Sequence, residues 1–211
     1  MKKVAILIDG EWFRRGLDFA LKGKLPNGVT ADVMYRNAML ALSNDEELFR
    51  VFYYDCLPFE GKETNPIDRS AVDFKVQPMH QARLRFLTEL KGMDYVAVRL
   101  GTVKKRGWTL TDSYIKQAIS KQAPNAPLAS DVFLSLEQKG VDMRIGIDVA
   151  TLSLKRIVDR IILISGDTDM IPAMKLARRE GVQVVLVELS HPIHSALDED
   201  ADLTRVIMPT P

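Results

Sequence analysis

The chain has 211 residues, 46% hydrophobic and 27% charged, a size and balance that suit one well-cored domain and exclude wholesale disorder. A formal net charge of +1 means that any surface for nucleic acid must be local, and a single cysteine, Cys56, excludes an internal disulfide or a cysteine-type zinc cluster. No apolar run approaches the roughly 20 residues of a membrane span, and Val4 to Ile8 is too short for a signal peptide, so a soluble cytoplasmic protein is the expectation.

Val4 to Ile8 reads as a strand buried on both faces, ending in Asp9 and Gly10. Glu11 to Lys22 places Trp12, Phe13, Leu17 and Leu21 on one helical face. A turn-rich loop, Gly23 to Gly28, leads to a second amphipathic helix over Thr30 to Leu42, with Thr30 as its cap. Leu48 to Asp55, rich in aromatics, predicts the next sheet strand, with Asp55 as one more acid at a strand end. Pro58 to Pro66 reads as a polar loop and Asp68 to Lys91 as one long helix stopped by Gly92. Asp94 to Leu100 alternates as a strand.

Lys104, Lys105 and Arg106 follow, beside Trp108 and between two glycines. This is a hairpin or loop that suits a phosphate backbone and a stacked base, or else a solvated tip over a packed tryptophan. Asp112 to Lys139 carries two short helical patterns split by QAPNAPLAS. The expectation is therefore a single domain over 1–211, with a helical or loop insertion around 101–138. Gly140 opens a helix running to about Val158, with Asp142 near its start and Asp148 inside it. Six residues apart, those two acids cannot share a direction on one helix.

Ile161 to Ile164 is a second fully buried strand. It breaks at Ser165-Gly166-Asp167-Thr168-Asp169 into a helix with Pro172 in its first turn. Helix capping explains one of those aspartates. Two of them at a strand's C-terminal end repel unless a cation or proton separates them, which points to divalent metal or phosphate chemistry. Val182 to Leu189 is the last clear strand. His191 and His194 around Pro192 are weak support for zinc, and the acids from Asp198 to Asp202 read as a surface loop and short helix.

Alternating strands and helices predict an α/β fold, with Asp9 and the Asp167–Asp169 pair at one sheet edge, where open parallel sheets bind ligands. Carboxylates without a thiol or histidine nucleophile favour Mg²⁺ or Mn²⁺. Such ions can activate water against a phosphodiester. No Walker-type or Gly-x-Gly-x-x-Gly loop is present.

AILIDG, KGVDMRIGIDVA and RIILISGDTDMIPAMKLARREGVQVVLV together resemble the NYN domain, in its LabA-like branch of the PIN-like nucleases, over essentially the whole chain. The resemblance implies a Rossmann-like three-layer α/β/α fold with a mainly parallel sheet, and metal-dependent cleavage of RNA. It implies Asp9, Asp142, Asp167 and Asp169 as metal-binding and catalytic acids, Asp148 as a further recurrent acid, and Ser165 and Thr168 lining the same turn. Lys104, Lys105, Arg106 and Trp108 are weaker candidates for holding the RNA, and a homo-oligomer stays open. The chain departs from the family where an asparagine commonly stands two residues after Ile-Asp-Gly. Here Trp12 takes that place after Glu11, so either Glu11 substitutes as an acid or Trp12 shapes substrate entry. The same departure keeps open a catalytically weak, NYN-type nucleic-acid-binding or regulatory module. A phosphatase acting through a phosphoaspartate is disfavoured, because Asp9-Gly10-Glu11 lacks the second aspartate that would serve as acid/base.

Overall fold

The structure, a computed structural model, describes residues 1–25, 28–120, 122, 126–189 and 194–211. Pro26 and Asn27 of the first loop, Ala123 to Asn125 of the QAPNAPLAS segment, and His191 and Pro192 lie outside the described residues. The elements run β1 (Lys2–Asp9), α1 (Gly10–Ala20), α2 (Ala31–Met39), β2 (Glu46–Cys56), β3 (Lys62–Thr64), β4 (Ala71–Asp73), α3 (Pro78–Lys91), β5 (Val96–Leu110), α4 (Asp112–Ile119), β6 (Val132–Lys139), α5 (Val141–Leu154), β7 (Arg160–Ile164), α6 (Ile171–Arg179), β8 (Gln183–Glu188), α7 (Ser195–Glu199) and β9 (Leu203–Val206).

Seven strands join in the order β6-β5-β2-β1-β7-β8-β9. β1 is parallel to β2 and to β7, β7 to β8, and β8 to β9, whereas β5 and β6 are antiparallel. The result is a mainly parallel α/β sheet. From β1 the chain steps outward one way to β2, then returns to lay β7 on the other side of β1. That reversal is a topological switch point, where the two strand ends diverge and leave a crevice.

The chain divides into two compact units, one of Met1–Asp55, Phe86–Gly101 and Gly140–Pro211, the other of Cys56–Arg85 and Thr102–Lys139. The core of the first is built by strand alternation. Val4, Ile6 and Ile8 of β1, Val51 and Tyr53 of β2, Ile162 and Ile164 of β7, and Val185 and Val187 of β8 pack with Phe13 and Leu17 of α1, Met34 of α2 and Leu87 of α3. Tyr54 points to the other face and donates to Asp148 on α5 at 2.8 Å. Helices thus cover both faces, which is why these strands read as continuous apolar runs. Among the described residues no helix is long and apolar enough to cross a membrane.

In the second unit three expectations are corrected. The long helix begins only at Pro78. Asp68 caps a tight turn through Ser70 rather than a helix, Arg69 has φ 63°, and residues 71–73, inside the expected helix, pair with 62–64 of the expected polar loop as a hairpin. Proline at the first helical position was the truer start signal. The Lys104–Trp108 segment is neither loop nor hairpin tip but the middle of β5, with a register shift between Lys105 and Gly107. Gly107, at φ 116°, supplies the conformation that the bulge needs. The second helical pattern before Lys139 is instead β6, in which Leu134 is buried and stands opposite Trp108 of β5 in the antiparallel register. A further strand, β9, lies beyond the last expected one, at four residues too short to register in the pattern.

The strands of the first unit are tied together at their starting edge by a buried ionic clasp. Glu46 at the head of β2 accepts from Arg160 of β7, from Arg205 of β9 at 2.8 and 2.9 Å, and from the Ser43 backbone N–H at 2.7 Å. Gln183 of β8 receives Arg160 and the Lys2 ammonium. Burial alone would raise the Glu46 pKa, but the bonds from Arg205, Ser43 and Arg160 outweigh it and hold the group at about 2. The sign follows from linkage: with the folded value below the ordinary 4.5, the stabilisation is complete above pH 4.5 and is lost as the pH falls toward 2. Glu46→Gln is expected to lower unfolding stability by about 3–5 kcal/mol, because it leaves buried guanidinium charge uncompensated. It should also remove that part of the acid sensitivity, both read from urea unfolding at pH 7 and pH 3.5.

Candidate metal centre

The β1–β7 register pairs Ile8 with Ile164, so Asp9 and Ser165 leave the sheet side by side at the switch point. β1 passes into α1 with no intervening residue. Asp9 ends the strand and caps the helix, its Oδ1 accepting from the Trp12 N–H at 3.1 Å. Gly10 is required there by contact: a Cβ at that position would lie 2.3 Å from the Tyr53 ring and 2.7 Å from the Tyr54 carbonyl oxygen.

After β7 the chain turns over a fully buried serine. Ser165 Oγ donates to Asp9 Oδ2 at 3.4 Å and accepts from the Asp167 N–H at 3.2 Å. Asp167 Oδ1 accepts from the Asp169 N–H at 2.9 Å, capping a single 3₁₀ turn over Thr168–Met170 before α6. The capping reading of these aspartates is therefore realised, but it uses one oxygen of Asp9 and one of Asp167 and leaves the rest of the carboxylate set for other work. The helix α5 brings a further acid. Gly140, at φ 76°, turns the chain so that Asp142 falls in the first helical turn.

One carboxylate oxygen from each of Asp142, Asp167 and Asp169 lies within 4.8 Å of the others. Asp9 adjoins this triad electrostatically. Its pKa is raised to about 6, first by burial and then, against the Trp12 hydrogen bond, by the charges of Asp142, Glu11 and Asp167. Asp142 is likewise raised, by desolvation and then by Asp167 and Asp169. A set of neighbouring carboxylates with no thiolate or imidazole matches the donor chemistry of a hard divalent cation.

The other sequence candidates are placed differently. Asp148 accepts from Tyr54 Oη at 2.8 Å and from Arg99 Nε at 3.2 Å, so its charge is already answered. Arg99, near the start of β5, was the unread signal, and it also lies 5.4 Å over the Phe52 ring. Asp55 is buried and accepts from Tyr53 Oη at 2.8 Å. Thr168 is exposed in the 3₁₀ turn. His194 caps α7 through Nδ1, accepting from the Ala196 N–H. In the second unit Lys105 pairs with Glu63 at 2.7 Å and Arg106 with Glu137, while Lys104 is exposed and has no partner among the described residues. Trp108 is half-buried.

A strand-end acid cluster at the switch point of a mainly parallel α/β sheet is an arrangement suited to a divalent cation. The NYN domain model matches residues 3–204, and the chain belongs to that family. NYN domains form part of a PIN-like nuclease superfamily, whose NYN members generally depend on divalent metal; a LabA-like assignment is compatible with this membership. The fold is similar to the crystal structure of a protein of unknown function from Vibrio parahaemolyticus, at 16% identity and a TM-score of 0.53, covering 97% of this chain and 92% of that one. No curated protein sequence matches.

The raised pKa of Asp9 makes metal-free stability depend on pH in a stated direction. The folded protein holds this proton up to about pH 6, the unfolded chain only to about 3.8. The group therefore adds no cost below 3.8 and destabilises increasingly as the pH rises through 6. In EDTA at pH 7, Asp9→Asn keeps the capping oxygen and should raise stability by up to about 3 kcal/mol, the equivalent of that shift. It should also flatten the profile between pH 4 and 6, as followed by denaturant midpoints.

Proposed function

We propose that this domain is a ribonuclease that hydrolyses RNA phosphodiester bonds with Mg²⁺ or Mn²⁺ held at the strand-end acids. The observation that carries the reading is the convergence of Asp142, Asp167 and Asp169 within 4.8 Å, in a chain of the NYN family. Those three carboxylates, with Asp9 beside them, would hold the cation; when bound, it supplies Lewis acidity to the phosphoryl group and counters the charge that builds as the P–O bond breaks.

The protein's own groups have separable tasks. Asp167 presents one oxygen to the Asp169 N–H and so fixes its carboxylate relative to the turn. Asp169 is exposed, which suits it to complete the ligand set or to orient the attacking water. Ser165, buried and bonded to both Asp9 and the Asp167 backbone, fixes the separation of the two strand ends. Ionising Asp9, whose pKa is raised to about 6, is unfavourable without a cation, and Asp142 is raised in the same direction, so cation uptake near pH 6 releases protons. Lys104, without a partner among the described residues, is the cation of the β5 trio available to an RNA backbone; Lys105 and Arg106 would first have to leave their glutamates.

Two measurements test this. Labelled single-stranded RNA is incubated with wild type or Asp167→Asn in Mg²⁺, Mn²⁺ or EDTA. Cleavage should need the cation and fall by more than about 100-fold in the variant, beyond the cost of removing a group that merely supports a metal ligand. Cation binding by the wild type with no cleavage of any RNA would instead support a binding or regulatory module. In parallel, Mn²⁺ should raise the melting temperature at pH 7.5, and that rise should shrink as the pH drops through about 6, because protons compete for Asp9 and Asp142.

A further inference from the structure

The carboxylate turn is held by few polar bonds. Between β1 and the turn, the polar link is the 3.4 Å contact from Ser165 to Asp9, and the three ligand acids push one another apart. Something non-polar must resist that push, and Trp12 is placed to do so. Its backbone N–H is anchored on Asp9 Oδ1. Its indole lies directly on Gly166: a Cβ there would meet the ring at Nε1 (2.2 Å), Cε2 (2.7 Å) and Cδ1 (3.1 Å). The ring is half-buried and packs on the main core of the first unit. Its N–H has no acceptor among the described residues, nor is it one of the buried unpaired polar atoms, so the indole is seated by shape and not by a hydrogen bond.

These contacts close a ring: Asp9 to Trp12, Trp12 to Gly166, Ser165 back to Asp9, with Asp167 hung from Ser165. We propose that Trp12 is the positioning residue of the acid site, its indole bracing the Ser165–Asp169 turn from the α1 side so that Asp167 and Asp169 stay at cation-holding distance from Asp142. The inference rests on the cation-site part of the function proposed above, and not on RNA cleavage. An aromatic edge against a glycine sets a fixed spacing, where a short polar side chain would leave the turn free to spread under carboxylate repulsion.

The chain has two tryptophans, so Trp108→Phe leaves Trp12 as the sole indole emitter. In that background Mn²⁺, which quenches nearby indole fluorescence, is expected to quench Trp12 saturably, and Asp142→Asn should abolish the response. By calorimetry, Trp12→Ala should weaken Mn²⁺ affinity about 10-fold or more, as removal of groups that support ligands does, while Trp12→Phe should restore affinity to within about 3-fold of wild type. Gly166→Ala, which forces the indole aside, should weaken affinity comparably, and Gly166→Ala combined with Trp12→Ala should be no weaker than either alone. Circular dichroism and melting of each variant separate loss of the brace from loss of the fold, and Trp12→Leu provides a milder truncation if the alanine variant does not fold.

Wild-type Mn²⁺ affinity in a folded Trp12→Ala or Trp12→Leu protein would overturn the proposal, as would Trp12 emission unmoved by Mn²⁺ that calorimetry shows to bind. Cation binding with the expected Trp12 effects but no RNA cleavage would sink the nuclease reading and leave the brace standing. Absence of any divalent binding by wild type would remove both.

Discussion

Everything at the acid edge depends on one backbone pairing, the parallel ladder between β1 and β7. These strands are more than 150 residues apart in the sequence numbering, Ile8 facing Ile164. Parallel neighbours need a crossover, and here the crossover holds most of the chain, including the whole second unit. The ladder converts two unremarkable strand ends into one locus. It does so in register, so that Ser165 reaches Asp9 and Asp167 is hung from Ser165 without any long side chain being recruited. A one-residue slip would turn Ser165 to the opposite face and separate the acids.

The two edges of this sheet are electrostatic opposites. Where the strands start, one carboxylate is shared by two guanidiniums and a backbone amide, and its proton is held off down to about pH 2. Where they end, carboxylates face carboxylates and Asp9 keeps its proton to about pH 6. The first arrangement is satisfied within the protein, whereas the second is relieved by a proton on Asp9 or by an added cation. This contrast separates a structural ion pair from a candidate site, and neither edge alone would reveal it. Glu46 and Asp9 are both buried or nearly so, both acidic, and both at a strand terminus. Their partners decide their roles.

Much of this was legible in the sequence because the relevant signals were local. A run of five apolar residues ending in Asp9, and another ending in Ser-Gly-Asp-x-Asp, announce buried parallel strands and what stands at their ends. The helical geometry correctly kept Asp142 and Asp148 from sharing a direction, and Asp148 turns out to be occupied by Tyr54 and Arg99. What escaped was set by distant partners. Lys104 to Arg106 carries charge and a neighbouring glycine, both loop signals, yet β6 recruits it into a ladder and the glycine becomes a bulge. The strand β6 itself opens on three consecutive apolar residues, Val132 to Leu134, and does not alternate, so periodicity does not separate it from helix. The clasp on Glu46 was invisible for the same reason: it joins residues 46, 160, 183 and 205, and no window of sequence contains two of them side by side.

The direct passage of β1 into α1 has a mechanical consequence. With no residue between Asp9 and Gly10, and with Gly10 wedged under Tyr53 and Tyr54, that side of the site has no joint about which to swing. Displacing Asp9 would uncap the helix and shear it over the sheet at once. The opposite side has three residues, Ser165 to Asp167, before its 3₁₀ turn begins. One wall is thus set by the backbone itself and the other by a side chain, the Trp12 indole seated on Gly166, so the two would yield to different kinds of substitution.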